Sequence, residues 1–577
     1  MHAHVVQTFQ LPPKKADAPT TSETTPPSSP TIAAAASWAL HSPISPLSPR
    51  STLFPDGVMA PSWIAKHKDY VPSVFVSFFE FTTDPITNSL HDNQLKTEIN
   101  KIKAQLQRSD YRTRYAVVLL SNTSSLASPE IEERLNTIRR STGLDPKTQL
   151  FFLPPSSQTE TRSFVATVLS TLRPLSVEYY RDLTKHSRRK KGRGTIPPPT
   201  APPTRGTSQT LSHTGWSIRY DFKLGVFAEF RQEMDAAQRH YNIALEALFG
   251  PEGIFETTAS WSPRWDEIRL LADAIALRHI RCQLYNNYPT SATQTWQRYK
   301  MKLKDVLDRR GKGTANYGWE AWQSMWAKAM GQMIQQADLK VFRIAQPLIE
   351  SDLLPTYDIH PTYASPEKQF PVGERLLPWE HLHHAGYWFK MSADHAKRRY
   401  LLAREMPEED RTPPGMSPAT RVSHRNQIYD TYLVPEPHLE YPEQGTLGGY
   451  EHWRDIVDKL NAAISEYAAR EQHRRIHQLQ LEAGRTLLHV KKYSEAFKVL
   501  RPLWASMAWR REGWWSLASE VVWALHECAL HIRDAEAYVA TEWELNSRGK
   551  FRYFIYPDCT ASDNTQYSLG RQNTSMT

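Results

Sequence analysis

The pattern of apolar and polar positions changes character twice along the chain. From Pro72 the run "PSVFVSFFEF" is short and rich in aromatic and β-branched residues, which predicts a strand. "DNQLKTEINKIKAQLQ" follows with Leu95, Ile99, Ile102 and Leu106 at helical spacing, and "YAVVLLSN" from Tyr115 reads as a second apolar strand. "SPEIEERLNTIRR" predicts a helix with Ser128 as N-cap and Pro129 in its first position. "QLFFLPP" predicts a third strand, and a helix runs from about Gln158 to Thr184. Strands that are apolar throughout, alternating with helices, imply a small parallel sheet covered on its faces, an α/β domain over residues 67–184.

From residue 216 the period is helical. In "FKLGVFAEFRQEMDAAQRHYNIALEAL" the pair Leu224 and Gly225 is followed 12 positions after the glycine by Ala237, and 4 and 7 positions after that by Tyr241 and Ala244. These are the offsets of a tetratricopeptide-type repeat, in which small residues let two helices cross closely. The register sets Gly225 opposite Ala237. A looser unit, "LEAGRTLLHVKKYSEAFKVLRPLW", carries Gly484, Tyr493, Ala496 and Leu500, with Leu503 where the second alanine would stand. Amphipathic segments at 264–287, 293–310, 318–345, 379–405, 450–475, 513–531 and 533–547 complete a series of paired helices. The predicted fold is mainly α: a tetratricopeptide-like α-solenoid preceded by the α/β domain.

Polar and proline-rich stretches divide these parts. Residues 1–66 are rich in Ser, Thr, Pro and Ala and read as disordered, with the steps Ser29-Pro30, Ser42-Pro43, Ser45-Pro46 and Ser48-Pro49 as targets for proline-directed kinases. A basic proline-rich linker is expected at 185–215, the first solenoid part at 216–345, a loop at 346–378, a solenoid helix at 379–406, a proline-rich loop at 407–449, the second solenoid part at 450–550 and a tail at 551–577. The net charge of +9 is concentrated: residues 181–205 carry a balance of +7. Arg188, Arg189, Lys190, Lys191 and Arg193 form its densest run. Such a run has the charge to meet an anionic membrane or an acidic partner, and equally the composition of a solvated loop.

Catalytic chemistry finds little support. No glycine lies between Gly57 and Gly143, so the first strand-to-helix turn cannot bring backbone amides up to a phosphate, and no cofactor is expected. "HECALH" has one residue too many for a zinc-protease motif, which sets His526 and His531 on different helix faces. "RRGKGT" (Arg309 to Thr314) fails the phosphate-loop pattern at both ends. His381 and His384 of "WEHLHH" share a face if helical, without a third ligand, so no metal is expected. Cys282, Cys528 and Cys559 are too scattered for a disulfide framework and fit a reducing compartment. With no apolar run long enough to span a bilayer and no signal-peptide core at the start, a cytosolic chain is expected.

The stretch "FKLGVFAEFRQEMDAAQRHYNIALEALFG", the helix "HLHHAGYWFKMSADHAKRRYLLA" with Gly386, Tyr387, Trp388, Phe389 and Ala393, and the preceding "YAVVLLSN" and "QLFFLPP" are together similar to the foie gras family. That family is the N-terminal region of subunit 11 of the trafficking protein particle (TRAPP) vesicle-tethering complex. The similarity covers about residues 67–550, and the segments at 186–215, 346–378 and 407–448 resemble insertions found in fungal members. Family members continue into β-sandwich domains, a region expected to be lacking here. The resemblance implies a non-catalytic scaffold in ER-to-Golgi and intra-Golgi transport and autophagy, peripheral at cis-Golgi and ER-Golgi intermediate membranes. It implies other TRAPP subunits as partners and, through the complex, a Rab-type GTPase; no nucleic acid is expected. The alternative reading is a tetratricopeptide adaptor that binds peptide tails, which requires a row of Arg, Lys or Asn along its groove.

Overall fold

A computed structural model describes residues 11–16, 40–82, 88–121, 129–200, 210–260, 262–310, 313–337, 339, 342, 381–405 and 450–547. The chain divides into two compact units: among these residues, the first runs to Trp319 and includes 381–382, and the second holds the rest. The loops expected at 346–378 and 407–449 and the tail at 551–577 lie outside the described residues.

In the first unit, β1 (Val74–Phe81), β2 (Arg114–Ser121) and β3 (Leu150–Leu153) form a parallel sheet in that order, with Val74 opposite Arg114 and Val117 opposite Leu150. Helices α1 (Asn88–Arg108) and α2 (Pro129–Thr142) are the crossovers that parallel neighbours require. Strand side chains alternate, so Phe81, Tyr115, Val117, Leu119 and Leu150 turn to Leu95 and Ile99 of α1 and Leu135 and Ile138 of α2. The other face, with Val74, Val76, Ala116 and Phe151, meets Val168, Leu172 and Leu175 of α3 (Gln158–Lys191).

α3 begins at a capping box in which Ser157 and Glu160 satisfy each other's backbone amides, and its last turn carries Arg188, Arg189, Lys190 and Lys191. The expected linker therefore starts late: residues 185–191 are helix, because cations at a helix C-terminus complement the dipole and Gly192 supplies the cap. The far half of α3 packs antiparallel on α4 (His213–Phe230), with Lys191 reaching Asp221 and Arg173 reaching Gln232. α5 (Met234–Phe249), α6 (Pro263–Tyr285) and α7 (Pro289–Arg309) follow, each packed on its predecessor.

The second unit repeats this scheme with α8 (Tyr317–Ala337, from Glu320 on), α9 (Ala385–Glu405), α10 (His452–Ala468), α11 (His473–His489), α12 (Tyr493–Ser506), α13 (Trp515–Ile532) and α14 (Ala535–Ser547). α8 and α9 are antiparallel: Glu320 meets His395, Ser324 meets Ser392, and Gly331 lies against Phe389. One turn recurs in both units. Gln232, Asn287, Glu471, Lys491 and Arg533 each follow a helix with φ between 55° and 65°. The amide of the next residue bonds the carbonyl five back, as Lys492 does to Leu487, the Schellman closure of a helix end.

The N-terminal expectation needs correcting. Residues 40–66 are ordered, and Leu47, Leu53, Val58, Met59 and Trp63 are buried. "SPISPLSPRS" repeats with a period of three, and the amides of Ser45, Ser48 and Ser51 bond the carbonyls of Ser42, Ser45 and Ser48. Each proline holds the first corner of one turn in this ladder. Arg264 fastens the segment to α6 through Asp56 and the carbonyls of Thr52 and Phe54. Ser45 and Ser48, expected as kinase targets, are buried. Ser29 lies outside the described residues.

Candidate functional site

The residues singled out by repeat spacing meet at helix crossings. A methyl placed on Gly225 would come within 2.5 Å of the Tyr241 ring, so the group facing Gly225 is Tyr241, sixteen positions on, rather than Ala237 as the register suggested. Leu224, Ala237 and Ala244 are buried around it. The second unit repeats the relation: a methyl on Gly484 would lie 2.5 Å from Leu500, again sixteen positions on, with Ala496 and Leu503 buried alongside. Tyr493 stands apart from that crossing, half-buried and stacked on His531 at 3.9 Å. The glycine opposes the large side chain because an aromatic ring or a leucine fills the volume a smaller neighbour would leave empty.

The buried charge in these helices is spent on holding them together. Glu229 of α4 accepts hydrogen bonds from Tyr241 of α5 and from Arg278 and Arg281 of α6, with Arg278 at 3.1 Å. Three consecutive helices converge on one carboxylate that is 7% exposed. Burial and this carboxylate push the Tyr241 hydroxyl well above its ordinary range. Asp221, 1% exposed, pairs with Lys191 at 2.6 Å and with His240 at 3.1 Å. Glu482 of α11 binds Lys390 and Lys397 of α9.

The basic run is split by its place on α3. Arg188, Arg189 and Arg193 are exposed, Lys191 is committed to Asp221, and Lys190 is half-buried with its carbonyl accepting the Trp216 indole N–H. Of the other motifs, His381 and His384 precede α9 and are not on it, so the shared helical face does not form. His384 accepts the Gly386 amide at 3.1 Å and packs edge-on against Tyr467. His526 contacts Thr541 and stacks on Tyr538. Burial pushes the Cys282 and Cys528 thiols up to about 12, so neither is a reactive thiolate at neutral pH. Among the described residues no group of three or more His, Cys, Asp or Glu side chains is placed to hold a metal, and no helix is long and apolar enough to cross a membrane.

Two features escaped sequence reasoning. Arg219 and Lys223, one helical turn apart among Trp216, Tyr220, Phe222 and Leu224, are the visible sign of the first: cations on a helix face that is otherwise apolar. The second is the outer side of the last helix pair, where Trp523, Val539 and Trp543 are exposed, Trp543 to 77%.

Residues 264–548 match the family described as foie gras liver health family 1. Residues 2–161 match the N-terminal domain of trafficking protein particle complex subunit 11. Relatives bearing the name trafficking protein particle complex subunit 11 are 20% identical to this chain: the Homo sapiens protein over 512 residues, and those of Bos taurus and Gallus gallus over 514. Each alignment covers 86% of this chain and 39% of the relative, so the chain spans about two fifths of the length of the curated relatives it matches. The two regions are matched in order along a mainly helical chain with a small parallel sheet ahead of its helices, and residues 264–548 belong to the foie gras family.

Proposed function

We propose that the chain is a non-catalytic scaffold subunit of a trafficking protein particle complex. The observation that carries this reading is the alignment with subunit 11 relatives over 86% of the chain. The side chains agree with it: the buried carboxylate of Glu229 and the half-buried one of Glu482 tie neighbouring helices to one another. In this reading the helix pairs present surfaces to other subunits of the complex, and a Rab-type GTPase is reached only through them. The chain works peripherally at Golgi membranes, in ER-to-Golgi and intra-Golgi transport and in autophagy. Arg188, Arg189 and Arg193 add a weak electrostatic attraction to anionic lipid, about 1 kcal/mol each at most.

Affinity purification of the full chain from its own cells, with identification of the co-purifying proteins, tests the proposal. Recovery of the other complex subunits in constant proportion is the expected result. Recovery of proteins sharing only a common peptide tail would replace it with the tetratricopeptide adaptor.

A further inference from the structure

Where the N-terminal segment, the end of α3 and α4 meet, four cations gather without an acidic partner of their own among the described residues. The Lys223 amine lies 5.4 Å from the Trp63 ring and 4.8 Å from that of Tyr220. His67 packs on Trp63 at 4.8 Å and on Phe227 at 5.3 Å. Lys66 stands over the Tyr111 ring at 4.7 Å. Arg219, 3% exposed, donates to the carbonyl of Val58, and Tyr220 packs at a tilt against Trp216, whose indole N–H reaches the Lys190 carbonyl. The cations come from three separate stretches of chain, with Lys66 over Tyr111 and Lys223 over Trp63 and Tyr220.

None of Lys66, Lys190, Arg219 and Lys223 has an acidic partner among the described residues, whereas Lys14 is paired with Asp110 and Lys191 turns away to Asp221. The contrast with Glu229 and Asp221 is direct, because there each buried charge meets its opposite. Burial together with Arg219, Lys190 and Lys66 pushes the Lys223 amine well below its ordinary range. Burial and Lys14 lower Lys66 to about 8, and burial with Lys66 and Lys223 lowers His67 to about 3. Two polar atoms at the same place are buried without a hydrogen-bond partner, His67 Nδ1 and the Tyr111 hydroxyl. The dipole at the end of α3 offsets the charge of Lys190, but Lys66, Arg219 and Lys223 have no such compensation. Like charges held together out of water destabilise a fold unless something neutralises them.

We propose that Lys66, Lys190, Arg219 and Lys223, walled by Trp63, Tyr111 and Tyr220, bind a compact polyphosphorylated anion of the inositol phosphate class. The rings keep water from the ammonium groups, which strengthens their attraction for phosphate, and the orphaned Tyr111 hydroxyl and His67 nitrogen supply a donor and an acceptor. A free inositol polyphosphate and a phosphoinositide headgroup carry the same chemistry. The proposal does not rest on the vesicle-tethering reading.

The test titrates the full chain with inositol hexakisphosphate in one arm, and in the other with vesicles of neutral lipid containing or lacking a phosphoinositide. Wild type, Lys223→Met, Lys66→Gln and the control Lys498→Gln, in the other unit, are compared. The expected result is saturable binding to at least one probe, weakened tenfold or more in Lys223→Met and Lys66→Gln and unchanged in Lys498→Gln. Binding to hexakisphosphate identifies a soluble ligand, and binding confined to the phosphoinositide vesicles identifies a headgroup. In the free protein both test variants should keep or raise the melting temperature, since each removes a repelled charge. Lys66→Gln decides if Lys223→Met does not fold. No binding to either probe, or equal binding by all four proteins, overturns the site. So does a Lys66→Gln chain that loses stability while its affinity stays unchanged, for the cations would then be neutralised from within.

Discussion

At the scale of single residues, the two glycine crossings look alike but should respond differently to the same change. Gly225 faces a tyrosine ring that is fully buried and tied to Glu229, and that ring cannot give way. Gly484 faces the tip of Leu500, which can change rotamer. Gly225→Ala should therefore cost about 1–3 kcal/mol even though alanine is the better helix former, and Gly484→Ala should cost less, as read from paired melting curves. His384 supplies a pH dependence. Burial, with Arg470 and His383 nearby, holds its imidazole down to about 3. The unfolded chain takes up a proton near the ordinary value of 6.5, so the stability tied to neutral His384 is complete above that pH and is lost as pH falls toward 3. The loss reaches about 2 kcal/mol by pH 5. His384→Asn should flatten the fall in melting temperature between pH 7 and pH 5.

At the scale of elements, Glu229→Ala leaves Arg278 and the Tyr241 hydroxyl unpaired between three helices and should cost about 3–5 kcal/mol by denaturant midpoint. The second variant Arg278→Met should recover part of that. The recurring helix turn offers the opposite sign. Lys491 holds a left-handed backbone that glycine adopts without strain, so Lys491→Gly should raise stability by about 1 kcal/mol. These turns also explain what could be read in advance. The helices carry a strong period and were legible, whereas the break between α10 and α11 falls at Ala469–Gln472 around Glu471, with no glycine or proline to mark it, and 450–475 therefore reads as one segment. The order of residues 40–66 was hidden because Ser-Pro repeats suggest disorder by composition, while their period of three builds turns. The cation site was invisible for another reason. Lys66, Lys190 and Lys223 are more than thirty residues apart in sequence, and only the fold brings their aromatic neighbours together.

At the scale of the whole molecule, Trp543 on the outer side of α14 is 77% exposed, so Trp543→Ala should change stability by no more than about 0.5 kcal/mol, as read from paired melting curves. A parallel sheet, in contrast, has a history in time. β1 ends at Phe81 and its partner β2 ends at Ser121, so roughly forty residues must be made before β1 can pair. At ordinary rates of synthesis that takes about 2–8 s. For that interval "VFVSFFEF", with one charge in eight residues, trails from the ribosome as an unpaired strand of high β-propensity, the kind of segment that seeds aggregates. Phe78 sharpens the hazard without repaying it in the finished fold, where it is 66% exposed. Phe78→Lys should leave the melting temperature unchanged and raise the soluble fraction of newly made protein, most visibly in cells with little chaperone to shield the nascent chain.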